Sequence, residues 1–232
     1  MVGGLPKHKT PPFEYKAPFS PVDVIQEYIR PARFMENGCI VTKPALSDAE
    51  FVDLENAGRL ESFNTDGLRS LLFTMSHIPD MKEKTLRYPG HIDLIKKMIE
   101  AGFFDEQEMI FKGQLIQPLE FSSAILAKQW KLGETEEEFT IMQIKINGIG
   151  AGKQKTIVYD LYDIYDPATQ TSSMSRTTGY TCTAAVNLVA NGLFTEKGVF
   201  PPELVGSDKA CFDFILNYLK ERDVVYRVRV VN

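Results

Sequence analysis

The chain has 232 residues and a net charge of −5, from 26 basic and 31 acidic side chains. At this length about 70% of the unfolded surface can be buried, and 44% hydrophobic with 25% charged residues excludes a disordered or rod-like chain. The acidic balance, with no basic stripe, argues against a nucleic-acid partner. No apolar run approaches the length of a membrane-spanning helix. Cys39, Cys182 and Cys211 are odd in number and widely spaced, with no CxxC, which points to reduced thiols in a cytoplasmic protein and to no metal site.

Residues 1–20 are rich in proline (Pro6, Pro11, Pro12, Pro18) and read as an extended lead-in. Ser20 then stands as an N-cap with Pro21 in the first helical turn, and a helix is expected over Val22–Ile29, stopping before Pro31. Asn37-Gly38 has the chemistry of a type I′ turn, so Ala32–Glu36 and Cys39–Thr42 form a hairpin. Short strands are expected at Phe51–Leu54 and Leu60–Phe63. Thr65-Asp66-Gly67 opens a second helix, with Leu68, Leu71, Leu72 and Met75 at helical spacing. Lys82–Tyr88 reads as a strand ended by Pro89-Gly90.

His91–Ala101 is a helix with Ile92, Ile95, Met98 and Ile99 on one face, closed by Gly102. Pro118–Trp130 is helical. The charged run Glu134–Glu138 reads as a solvated loop. Phe139–Ile146 and Thr156–Tyr165 are long strands joined through residues 147–152. Helices at Thr177–Ala190 and Ser207–Arg222 precede a last strand, Val224–Val231. The order lacks a regular βαβ alternation and hairpins dominate. The fold class expected is therefore α+β, a mixed and largely antiparallel sheet with helices packed on one face.

Three segments carry candidate chemistry. Gly148-Ile149-Gly150-Ala151-Gly152-Lys153 has neither P-loop nor dinucleotide-fingerprint spacing, and a hairpin turn is the better reading. The hydroxyl-rich run Thr171–Gly179 enters a helix, where it can serve as capping or as an anion site. Arg87-Tyr88-Pro89-Gly90-His91 places a guanidinium, a phenol and an imidazole at a strand-to-helix corner, and arginine suits bidentate carboxylate recognition.

Several of these segments carry a family resemblance. Val2-Gly3-Gly4-Leu5-Pro6, Pro11-Pro12, Glu61-Ser62-Phe63, Thr65-Asp66-Gly67-Leu68-Arg69 and Lys84-Thr85-Leu86-Arg87-Tyr88-Pro89-Gly90-His91 appear in that order. Gly102-Phe103-Phe104, Ser172-Ser173-Met174-Ser175-Arg176, Thr178-Gly179 and Pro201-Pro202-Glu203 follow. Together they resemble the C-terminal substrate and dimerisation domain of the saccharopine dehydrogenase and lysine 6-dehydrogenase family, over nearly the whole chain.

The resemblance implies one domain over residues 1–232, the substrate half of an oxidoreductase acting on the C–N bond of lysine, saccharopine or a related amino acid. It implies NAD or NADP bound mainly by an N-terminal Rossmann domain that this chain lacks, with none bound by this chain alone. It also implies a homodimer, with residues 177–232 packing on that Rossmann domain. The roles it implies are catalytic for His91 and Tyr88, near the reacting amine, and substrate-binding for Arg87 as a carboxylate clamp and for Asp66 and Arg69. Arg176, Thr178 and Gly179 would border the cofactor. Two alternatives stay open, a non-catalytic binding or scaffold module derived from the family and an amino-acid sensor.

Overall fold

Val2–Pro6, expected as part of an extended lead-in, forms β1 and sits in the middle of a seven-stranded sheet. The structure, a computed structural model, describes residues 1–231. After β1 come α1 (Pro21–Ile29), β2 (Ala32–Glu36), β3 (Cys39–Lys43), β4 (Glu50–Leu54), β5 (Gly58–Asn64) and α2 (Leu71–Thr74). Then follow β6 (Lys84–Arg87), α3 (His91–Glu100), β7 (Met109–Phe111), β8 (Gln114–Ile116) and α4 (Pro118–Trp130). The chain ends with β9 (Glu138–Gly150), β10 (Lys153–Ile164), α5 (Ser173–Ala190), α6 (Pro202–Val205), α7 (Lys209–Lys220) and β11 (Arg227–Val231).

The main sheet runs β11-β10-β9-β1-β6-β5-β4. Its pairs are antiparallel except β1 with β6. This is the mixed, largely antiparallel class expected from the hairpin-rich order. Two glycines let β1 sit so deep. A Cβ on Gly3 would lie 2.8 Å from the Leu86 Cβ and 2.9 Å from its carbonyl oxygen, and one on Gly4 would lie 2.6 Å from the Met174 methyl. A side chain at Gly3 would hold β1 away from β6, and one at Gly4 would press on the Pro18 ring and displace the end of Met174.

Paired residues share a sheet face. The face carrying Gly4, Phe63, Arg87 and Thr140 is covered by α1, α4 and α5. Tyr28 of α1 packs on Phe63, Trp130 of α4 stands edge-on to Tyr28, and Ser173 of α5 bonds to Thr140. Leu5, Leu60, Leu86 and Ile141 share the opposite face of the sheet and belong to the same apolar cluster.

Four further expectations change. The residues from Thr65 do not open a helix. The Asp66 carboxylate bonds to Arg33 rather than capping, Arg69 takes a left-handed φ of 50°, and only Leu71–Thr74 is helical. The run at Glu134–Glu138 is not simply a solvated loop, because Glu138 is buried as the first residue of β9 and accepts the Ser173 N–H and hydroxyl. That carboxylate sits at the positive end of α5, which starts four residues earlier than expected, with Ser172 as its cap. A hairpin, β7–β8, with exposed Ile110 and Leu115, forms where no strand was expected.

The glycine-rich segment does form a hairpin tip. Ala151 and Gly152 both have positive φ, and the flanking strands run on to Gly150 and from Lys153. This arm is open. The accessible surface is 14021 Å², against about 10,600 Å² for a compact monomer of this size.

Candidate functional site

A cleft of about 250 Å³ opens where the start of β1, the lead into β6, the loop after β5 and one side of α1 meet. Its wall carries three carboxylates, Glu27, Asp66 and Glu83, and two guanidinium groups, Arg30 and Arg69. Thr65, Thr85 and Gly67 fill the spaces between them.

Each carboxylate is held differently. Asp66 accepts Nε and Nη2 of Arg33 at 2.9 Å each and the Arg33 backbone N–H at 3.2 Å, with Arg69 4.0 Å away. The hydrogen bond from Arg33 keeps its carboxyl below the usual carboxylate range. Glu83 accepts the Thr65 hydroxyl, and among the described residues no side-chain cation is paired with it. Burial raises its pKa. Thr65 also meets Thr85 at 2.8 Å, and a Cβ on Gly67 would lie 2.6 Å from the Glu83 oxygen, so glycine there makes room for the carboxylate. Glu27 is also raised by burial, which outweighs the opposing pull of Arg87.

Asp66 and Arg69, two of the residues expected to bind substrate, line this cleft. Arg87 does not. It is 2% exposed and lies behind the wall. Its Nη2 donates to Glu27, its Nε to the Tyr28 hydroxyl and its Nη1 to the Leu86 carbonyl, each at 2.9 Å. The guanidinium also lies 4.4 Å from the centre of the Tyr15 ring.

His91 is 1% exposed and wedged among Tyr15, Tyr28 and Trp130. Its Nδ1 lies 2.8 Å from the Phe13 carbonyl and its Nε2 lies 2.8 Å from the Tyr28 oxygen. Burial, with the charge of Arg87, pushes its pKa down to about 3. Tyr88 donates to the Pro6 carbonyl at 2.9 Å, and burial raises its phenol to about 12. Neither residue lines the cleft.

The third group sits elsewhere. Arg176 pairs with Asp163 at 3.2 Å and Asp166 at 3.6 Å and donates to the Arg222 carbonyl. Thr178 donates back to the Met174 carbonyl, and Gly179 is inside α5. A wider depression of about 780 Å³ lies at the start of α5, edged by Lys131, Glu134, Ser172 and Ser175.

Glu27, Glu83 and Arg30 were not singled out from the sequence. Glu83 had a signal. In a strand over Lys82–Tyr88, alternation puts Glu83, Thr85 and Arg87 on one side. Nothing local connects Glu27 with Arg87.

A family model, the saccharopine dehydrogenase C-terminal domain, matches residues 1–225. The chain belongs to this family. The fold matches that of a saccharopine dehydrogenase. The apo, histidine-tagged saccharopine dehydrogenase (L-Glu forming) of Saccharomyces cerevisiae superposes with a TM-score of 0.78 at 18% identity, covering 100% of this chain and 66% of that one. Among curated proteins, carboxyaminopropylagmatine dehydrogenase of Synechocystis sp. is 25% identical over 200 residues, 82% of this chain and 49% of that protein. The domain thus spans about half the length of its curated relative. Among its described residues, no helix is long and apolar enough to cross a membrane.

Proposed function

We propose that this domain binds the substrate of an oxidoreductase that acts on the C–N bond of lysine, saccharopine or a related amino acid. NAD or NADP and the Rossmann domain that holds it lie outside this chain in that reading. Among the described residues the glycine-rich segment Gly148–Gly152 is a hairpin tip with no helix behind it, so it offers no helix N-terminus to a pyrophosphate.

One observation carries the reading. The cleft sets Glu27 and Glu83 against Arg30 and Arg69, a charge pattern that matches a zwitterion. The two arginines take the substrate carboxylate. Glu83, bonded to a hydroxyl and paired with no side-chain cation, with the Met1 ammonium acting on it from nearby, takes the substrate ammonium. An amine must lose a proton before its carbon can give up hydride, and a carboxylate raised by burial is suited to accept it. Glu83 is therefore the group proposed to hold that proton, while Asp66, tied to Arg33, orients Arg69. Arg176, Thr178 and Gly179 keep their proposed place toward the cofactor domain, along α5.

The protein acts as a homodimer in the same reading. Its support is an exposed apolar strip on the β9–β11 arm, where Ile144 and Val228 flank Tyr159, and Ile146 and Val230 flank Ile157.

The test is reduction of NAD or NADP by the full-length protein with lysine or saccharopine. Amino-acid-dependent reduction that falls at least tenfold in kcat/KM for Glu83→Gln supports the reading. Binding without reduction favours the non-catalytic module. No binding of either amino acid overturns the assignment of the cleft.

A further inference from the structure

Five groups, from Glu27 at the cleft wall back to the Phe13 carbonyl, form one chain of hydrogen bonds. The Phe13 carbonyl can only accept, so His91 Nδ1 carries the ring proton toward it. The neutral ring leaves Nε2 bare, and Nε2 accepts the Tyr28 O–H. The Tyr28 oxygen in turn accepts Nε–H of Arg87, and Arg87 Nη2 donates to Glu27. Every member has one available role: Arg87 donates both ways, to Glu27 on one side and, through Tyr28 and His91, toward the Phe13 carbonyl on the other.

Only Glu27 reaches the cleft. Arg87, Tyr28 and His91 are 2%, 0% and 1% exposed. We infer that Arg87 is a positioning residue, which holds the Glu27 carboxylate at the cleft wall to receive a cationic nitrogen of the substrate. This rests on the amino-acid reading of the cleft and assigns Glu27 as a second carboxylate contact within it. Tyr28 and His91 fix the orientation of Arg87, so that each nitrogen of the buried guanidinium has a partner within the protein.

The charged and titratable groups around Glu27 are few. Arg87 comes from β6, Asp23, Tyr28 and Arg30 from α1, Tyr15 from the lead-in, and Glu83 from the loop before β6. Among these, Arg87 is the cation hydrogen-bonded to Glu27. Removing its charge leaves burial and the neighbouring carboxylates to act unopposed on Glu27. The expected consequence is a shift in pH dependence, which loss of packing alone would not produce.

The experiment titrates the full-length protein with L-lysine between about pH 5 and 9, read by calorimetry. In the wild type, affinity should fall on acidification as Glu27 and Glu83 take up protons, and Glu27→Gln should keep only the part due to Glu83. Glu27→Gln should bind at least tenfold more weakly at pH 8. Arg87→Gln should weaken binding and, in addition, move the acid-side loss to higher pH. Tyr28→Phe, the milder change, should move it in the same direction by less, and it keeps the proposal testable if Arg87→Gln does not fold. Equal binding by wild type and Glu27→Gln overturns the inference and leaves the cleft assignment standing. An acid-side loss that stays at the wild-type pH in both Arg87→Gln and Tyr28→Phe also overturns it, because Arg87 would then not act through Glu27. A wild type that binds no lysine or saccharopine overturns the cleft assignment, and the inference with it.

Discussion

Arg33 meets Asp66 side-on, with Nε on one carboxylate oxygen and Nη2 on the other at 2.9 Å each. The pair joins β2 to the loop after β5, and Arg69 reaches the same carboxylate. With the Thr65 bonds to Glu83 and Thr85 it ties down the loop at the cleft, since Thr65–Arg69 has no helix to stabilise it. Asp66→Asn cannot form this charged fork. Its Thr65–Arg69 backbone amides should exchange with solvent at least tenfold faster than in wild type, read by hydrogen–deuterium exchange, while amides of α3 stay protected. Equal exchange in the loop would remove this role from the pair.

The same carboxyl is depressed by Arg33, so the folded state holds it ionised below the pH at which the unfolded chain takes up its proton. The stabilisation is present above the unfolded pKa and is lost as pH falls through the folded one. Thermal melts of wild type and Asp66→Asn should therefore converge as pH drops below about 4. A constant difference down to strong acid would contradict the assignment.

His91 works on a different window. Its folded pKa is about 3, whereas the unfolded side chain titrates near its ordinary value of 6.5. Between these, the unfolded state binds the extra proton, so stability falls as pH falls, by up to about 1.4 kcal/mol per pH unit from this group. His91→Gln lacks the titration. The stability difference between wild type and this variant should change with pH between about 6.5 and 4, measured by urea unfolding. A difference independent of pH would mean that the ring is already protonated in the folded protein.

Gly67 and Gly3 should separate binding from folding. At Gly67 a Cβ meets the end of the Glu83 side chain, which can swing away, so Gly67→Ala should fold normally but bind lysine at least tenfold more weakly. At Gly3 a Cβ meets the Leu86 backbone oxygen, which cannot move without breaking the parallel β1–β6 pairing. Gly3→Ala should lose about 1–3 kcal/mol of stability. The reverse ranking in thermal melts would contradict both local accounts.

The apolar strip on the β9–β11 arm gives a further expectation. Ile146→Asp places a charge in its middle, away from the cleft. In light scattering the variant should be a monomer under conditions where the wild type is a dimer. A dimer unchanged by the substitution would move the interface elsewhere.

The sequence by itself determined the elements whose causes are local. α3 and α4 follow from helical spacing and from their boundaries at Gly90, Gly102 and Pro118. The hairpin at Asn37-Gly38 follows from two residues that tolerate positive φ, and the one at residues 147–152 from its glycines. The motifs around Asp66 and Arg87 were enough to indicate the family, and Asp66 and Arg69 do line the cleft. What was not legible joins segments far apart in the chain. β1 looks like a proline-rich lead-in because its two glycines have no pattern of their own, and they matter only through Leu86, Pro18 and Met174.

Arg87 has the chemistry of a ligand clamp in any local reading. Only the tertiary structure decided that its guanidinium points inward to Tyr28 and Glu27, the latter 60 positions away. The reason is energetic. A buried guanidinium must satisfy its charge and its donors within the protein, and which groups are available is settled by how α1 crosses the sheet. The Arg87 motif marks the neighbourhood of the cleft, and the packing of α1 determines which of its groups face a ligand.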